Sequence, residues 1–151
     1  MRPEKKIIKL KKEIIFSTID ENRKLNVNDA ELESYLKVGI SLKIAKKIVE
    51  YKEILGRVEK LEDLSRIAGI GEKSVEKLSK DIEAGKGGTL NRLRVNSASA
   101  KILKYYGFTK KEIKKIETYI GKNGVIYSNI EMMEILGEER YRVYENILEY
   151  N

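Results

Sequence analysis

Residues 25–56 align on residues 93–124 without a gap. This shift of 68 residues matches Leu25/Leu93, Val27/Val95, Asn28/Asn96, Ala30/Ala98, Gly39/Gly107, Lys43/Lys111, Lys46/Lys114, Lys47/Lys115, Ile48/Ile116, Tyr51/Tyr119 and Gly56/Gly124, eleven identities in 32 positions. Chance pairing in such a composition gives on the order of two or three. A chain of 151 residues that repeats itself in this way is expected to fold as two related units, at residues 25–84 and 93–151. Between them, at 85–92, Gly85-Lys86-Gly87-Gly88-Thr89 has dense glycine and no apolar residue, which predicts a flexible Gly-rich linker.

The periodicity inside each unit is helical. Ile44, Ile48, Tyr51 and Leu55 recur every three or four residues and place one apolar stripe toward a core. The spacing predicts helices near 29–37, 42–55, 61–68 and 72–83, with counterparts near 97–105, 110–121, 129–136 and 138–149. Asn28 with Glu31, Thr109 with Glu112 and Ser128 with Glu131 each fit a capping box. Proline occurs only at position 3, so no helix interior is broken.

Composition restricts the chemistry. The chain has neither cysteine nor histidine, which removes thiol nucleophiles, disulfides and the commonest metal ligand and acid-base group. No catalytic constellation and no small-molecule site stand out, and a non-enzymatic protein without a cofactor is expected. Net charge is +7 but uneven: +4 over residues 1–24, −1 over 25–84, and a run of seven lysines against two glutamates over 101–122. In the N-terminal segment, Ile7, Leu10 and Ile14 interleave with Lys5, Lys6, Lys9, Lys11 and Lys12, as in a basic amphipathic helix that packs on the first unit. The apolar run at Ile14-Ile15-Phe16 is too short for a membrane span. A cytoplasmic location is expected, with export or membrane anchoring as the alternative if a signal precedes the sequence given.

Each unit also carries a glycine four residues before a lysine at a break between helices: Gly39 with Lys43, Gly69 with Lys73, Gly107 with Lys111. The pattern is fullest at Gly69-Ile70-Gly71-Glu72-Lys73-Ser74. Two glycines around a buried-type aliphatic permit a tight turn whose amides face outward at a helix start, where they can hold a phosphate. A lysine on the first turn adds charge beside it. Ser41 and Thr109 stand where the other two hairpins lack the second glycine, and both suit a helix cap. The fourth break, Leu136-Gly137-Glu138-Glu139, has gained two acids and is expected to be structural. The nine tyrosines, Tyr105, Tyr106, Tyr141, Tyr144 and Tyr150 among them, are read as packing residues rather than base-stacking ones.

On these residues the chain resembles a known family. Leu25-Asn26-Val27-Asn28-Asp29-Ala30, then Val38-Gly39-Ile40-Ser41-Leu42-Lys43-Ile44-Ala45 with Ile48-Val49-Glu50-Tyr51-Lys52, then Val58, Leu61-Glu62-Asp63-Leu64, Ile67, Gly69-Ile70-Gly71 and Leu78 resemble the tandem helix-hairpin-helix domain of ComEA-type competence DNA-receptor proteins. Residues 93–151 resemble a second, degraded copy. The resemblance implies an all-α fold of two tandem helix-hairpin-helix units, SAM-like helical bundles. It also implies binding of double-stranded DNA without sequence specificity, hairpin amides holding phosphates along a minor-groove face. In some members hairpin carbonyls hold a monovalent cation.

The DNA-contact residues expected are therefore Gly39, Ile40, Ser41 and Lys43, then Gly69, Ile70, Gly71, Lys73 and Ser74, then Gly107, Thr109 and Lys111. DNA uptake, repair or recombination are the settings implied. The alternative is a helical scaffold for protein partners in which the hairpins serve only as turns, a reading favoured by the −1 charge of the first unit. A DNA-glycosylase type of enzyme, which shares the motif, has no catalytic residues to support it here.

Overall fold

A computed structural model of the protein describes residues 23–151. The amphipathic helix expected before Arg23 lies outside the described residues.

Each repeat is all-α apart from one two-residue parallel strand pairing that ties its beginning to its end. In the first repeat, β1 (Leu25–Asn26) is followed by α1 (Leu32–Lys37), α2 (Leu42–Leu55), a 3₁₀ helix (Leu61–Arg66), α3 (Glu72–Leu78) and β2 (Ile82–Glu83). In the second, β3 (Leu93–Arg94) is followed by α4 (Ala100–Tyr105), α5 (Lys110–Asn123), α6 (Asn129–Leu136), α7 (Glu138–Tyr144) and β4 (Leu148–Glu149). The register is Leu25↔Ile82 and Asn26↔Glu83 in one repeat, Leu93↔Leu148 and Arg94↔Glu149 in the other. The helices expected to run to 83 and 149 therefore stop at Leu78 and Tyr144, because the residues beyond them are needed by the strands. Val27 and Val95, identical in the repeat, are both fully buried just past the pairing.

A second pair of identities has a different role from the one its sequence context suggests. Asn28 does not cap α1, which starts at Leu32 without any side-chain cap. Its carboxamide is buried: it donates to the carbonyls of Val58 at 3.0 Å and Gly85 at 2.7 Å, and accepts from the Val58 amide at 2.8 Å. Asn96 repeats the arrangement with the Ile126 carbonyl and amide at 2.8 and 2.7 Å and the Tyr150 carbonyl at 3.2 Å. Each asparagine closes a loop of its own unit by satisfying backbone groups that burial would leave unpaired. The capping box expected at Ser128 is also absent, since Glu131 is taken by the Tyr119 hydroxyl at 2.6 Å and the Tyr127 amide at 3.2 Å.

The buried side chains of both repeats form one cluster, from Tyr35, Ile48, Leu64 and Ile70 through to Ile116, Met132 and Leu148. Between the repeats, the Tyr51 and Tyr105 rings lie 5.0 Å apart, and the Tyr51 hydroxyl donates to the Tyr105 carbonyl at 3.2 Å. Burial pushes that hydroxyl up to about 12, so it remains a donor at physiological pH. Tyr106 reaches back to the Asn91 carbonyl at 2.8 Å, so Tyr105 and Tyr106 are packing residues.

The glycine-rich segment is not the free joint its composition predicts. Asn26 accepts from the Gly85 amide at 2.9 Å and donates to the Lys86 carbonyl at 2.7 Å, and Arg57 donates to the carbonyls of Gly85 at 3.1 Å and Gly87 at 2.5 Å. Asn91 then bonds the Leu55 carbonyl at 2.6 Å and the Ile54 carbonyl at 3.0 Å. Glycine serves close approach here: a Cβ on Gly56 would strike the Thr89 carbonyl, and one on Gly88 would strike the Gly56 carbonyl.

Candidate nucleic-acid interface

The four breaks between helices are hairpins with a left-handed glycine, but their helix starts differ. In the first, Gly39 has φ 89°, its amide bonds the Leu36 carbonyl at 3.1 Å, and the Ile40 amide bonds the Tyr35 carbonyl at 3.1 Å. This paired closure is repeated at Gly107, with φ 99°, through Lys104 at 2.9 Å and Leu103 at 3.1 Å. Ser41 caps α2 by accepting from the Ile44 amide at 3.3 Å, and Lys43 is exposed on the following turn.

The hairpin at Gly69–Gly71 is open, with an uncapped helix start that it shares with the fourth but without the fourth's paired acids. Gly69 has φ 89°, the Ile70 amide bonds the Ile67 carbonyl at 3.0 Å, and the Ile70 side chain is buried as the anchor of the turn. Gly71 stands at the N-cap of α3 in extended conformation, with no side-chain cap. No acceptor among the described residues takes the amides of Gly71, Glu72 or Lys73, and a Cβ on Gly71 would meet nothing within 4 Å. Lys73 is exposed on the first turn and Ser74 half-buried behind it. Lys47 of α2 crosses to this hairpin and donates to the Ala68 carbonyl at 2.8 Å. Lys47 has no motif of its own in the sequence. Its one signal is the pairing Lys47/Lys115 in the repeat.

The third hairpin is closed by the protein itself. Thr109 and Glu112 form the expected capping box, the Thr109 hydroxyl accepting from the Glu112 amide at 3.1 Å and the Glu112 carboxylate from the Thr109 amide at 3.0 Å. Arg140 of α7 then holds both oxygens of Glu112 at 2.8 Å and donates to the Gly107 carbonyl at 3.3 Å. Its hydrogen bonds keep the Glu112 carboxyl below the ordinary carboxylate range. Gly107 packs against Arg66 and the Tyr144 hydroxyl, and Phe108 stacks on Tyr144 with ring centroids 4.1 Å apart. Lys111 is exposed beyond this cluster. At the fourth hairpin Gly137 has φ 85°, with Glu138 and Glu139 in the first turn and Glu138 paired to Arg142 at 2.7 Å.

One two-glycine hairpin and three single-glycine hairpins between helices fit what the family comparison finds. Residues 20–83 match the model of the helix-hairpin-helix motif. The first repeat thus carries the helix-hairpin-helix motif and is similar to ComEA-type proteins. ComE operon protein 1 of Bacillus subtilis is 39% identical over 59 residues, 38% of this chain and 29% of the relative. Endonuclease/exonuclease/phosphatase family domain-containing protein 1 of Xenopus laevis is 27% identical over 150 residues, 80% of this chain and 27% of the relative. The human protein of that name is 36% identical over 69 residues, 44% of this chain and 12% of the relative. The chain thus spans less than a third of the length of these relatives. No solved structure matches it significantly.

A hairpin-bound monovalent cation, as in some helix-hairpin-helix proteins, needs free hairpin carbonyls. Here Ala68 already accepts from Lys47, Tyr105 from Arg66 at 3.0 Å, and Gly107 from Arg140. In the second and third hairpins the protein's own cations already occupy these carbonyls, which does not fit such an ion.

Proposed function

We propose that this chain binds double-stranded DNA through the sugar-phosphate backbone, without sequence specificity and without catalysis. The helix-hairpin-helix motif and the ComE operon relative support DNA binding. The observation that carries the hairpin mechanism is the uncapped start of α3. Its outward amides, the open space at Gly71, and the cations of Lys73 and Lys47 offer a phosphate what an N-cap side chain would otherwise supply. The first hairpin, with Gly39, Ile40, Ser41 and Lys43, contributes a second and weaker phosphate contact because Ser41 already satisfies one amide. Glu112 holds the corresponding place in the third, so Gly107 and Thr109 serve packing and Lys111 alone remains for DNA. DNA uptake, repair or recombination would each use such an activity.

The experiment is Gly71→Asp. An aspartate at this N-cap satisfies the amides and puts a negative charge where the phosphate would lie, and the site has room for it. Stability should rise by a few tenths of a kcal/mol while affinity for a labelled random duplex at low salt falls at least tenfold. An unchanged affinity would sink the hairpin mechanism.

A further inference from the structure

The 68-residue shift relates surfaces as well as sequences. In the first repeat, Glu50 and Tyr51 of α2, with Arg66 of the 3₁₀ helix, form the face that receives the second repeat: Glu50 pairs with Lys101, and Tyr51 and Arg66 both donate to the Tyr105 carbonyl. The corresponding residues in the second repeat are Thr118, Tyr119 and Glu134. No described element covers them. They line an open groove of about 550 Å³ between α5 and α6, bordered by Lys111, Lys114, Lys115 and Lys122.

Three differences separate the faces, one of them the acid Glu134 in place of Arg66. Where the docking face has the acid Glu50 and the apolar Ile54, the open one has Thr118 and Lys122. The acid that would pair with a docked copy's lysine is gone, and a cation has been added. Further, each of Arg57, Arg66, Arg92, Arg94, Arg140 and Arg142 is ion-paired. None of the four groove lysines has an ion-pair partner among the described residues, and the one acid lining the groove, Glu134, is set against four positive charges. The lysine-rich start of the chain has like charge and is disfavoured as an occupant.

Steps of three, one and seven residues keep the lysines on one side of α5, and from Lys111 to Lys122 the stripe runs about 16 Å at 1.5 Å per residue. A DNA strand winds around the duplex as it rises about 3.4 Å per phosphate, so a straight stripe of this length meets about two to three consecutive phosphates of one strand. We propose that this groove is a second nucleic-acid site, taking the phosphate backbone of one strand along the side of α5 rather than at a helix start. It rests on the reading of the chain as a DNA binder, but not on the hairpin contacts. The duplicated unit has thus converted a protein-docking face into a polyanion-binding one.

The test measures affinity of the full chain for a labelled random duplex across salt concentrations, in the wild type, in the triple variant Lys114→Ala, Lys115→Ala, Lys122→Ala, and in Gly71→Asp. The triple variant should keep the wild-type melting temperature and lose about 2 to 3 from the slope of log affinity against log salt, at about 0.9 per phosphate contact. Thr118→Glu, a single charge placed inside the groove, should weaken binding at least threefold and provides the reading if the triple variant fails to fold. A triple variant with wild-type affinity and slope overturns the groove, and in that case a loss in Gly71→Asp still upholds the hairpin. A loss in the triple variant with Gly71→Asp unaffected supports the groove and removes the hairpin instead. Self-association of the wild type without DNA, abolished by the triple variant, overturns the proposal in favour of a second copy as occupant.

Discussion

Arg140 grips both carboxylate oxygens of Glu112 at 2.8 Å and so joins the start of α5 to α7, across a hairpin whose own capping box Glu112 completes. Arg140→Ala should cost about 1 to 2 kcal/mol, the range of a bidentate charge-assisted pair discounted for the part-exposed guanidinium. Because the folded protein holds the Glu112 carboxyl below its ordinary 4.5, the pair stabilises the fold above that pH, and the contribution disappears as pH falls through the lower folded value. Urea midpoints of wild type and variant should differ at neutral pH and converge in acid. A difference that persists in acid would show that the arginine acts by packing on Tyr144.

Asn28→Ala should be among the most damaging single substitutions in the first unit. It leaves the Val58 amide and the Val58 and Gly85 carbonyls without their side-chain partner in a buried position, at about 1 to 3 kcal/mol for an unsatisfied group. Asn96→Ala, in the same bonding pattern, should behave alike. Chemical denaturation of the two variants checks this, and a cost within the few tenths of a kcal/mol usual for a surface site would contradict it.

These asparagines also show where sequence reasoning reached its end. Helices α2 and α5 were legible because an apolar stripe and a capping residue are local signals, and Ser41 and Thr109 cap as expected. Asn28 was misread as a cap because its partners, Val58 and Gly85, are distant in the chain, as are the strand partners of Leu25 and Leu93. The four hairpins could be located from glycine alone. The capping box that closes the third hairpin has a local signature in Thr109 and Glu112, but its anchoring by Arg140, which approaches Gly107 and Glu112 from α7, is a tertiary fact with none.

Gly56 and Gly124 occupy equivalent positions in the repeat, with φ 82° and 87°, but only Gly56 has backbone against it. Gly124→Ala should cost about 1 kcal/mol for the left-handed conformation alone. Gly56→Ala adds collision with the Thr89 carbonyl and should cost about 2 to 3 kcal/mol, since neither backbone segment can move without breaking the bonds Asn91 makes to Leu55 and Ile54. Thermal melts of the two variants give the comparison. Equal losses would mean that the glycine-rich segment is not held against the first unit.

Lys46 and Lys47 are neighbours on α2, both with copies in the second repeat, yet only Lys47 reaches a hairpin, where it donates to Ala68 and lies where a Cβ on Gly69 would be. If the open hairpin holds a phosphate, Lys47 adds its charge there beside that of Lys73. Lys47→Ala should then lower DNA affinity several-fold and reduce the salt slope by about 0.9, while costing under about 1 kcal/mol of stability because the bond is at the surface. Lys46→Ala, with a charge removed one residue away, is the control for general electrostatics, since it changes net charge equally. Anisotropy titrations at several salt concentrations separate the two. Equal effects from both lysines would mean that only the overall charge of α2 matters and that the hairpin geometry contributes nothing specific.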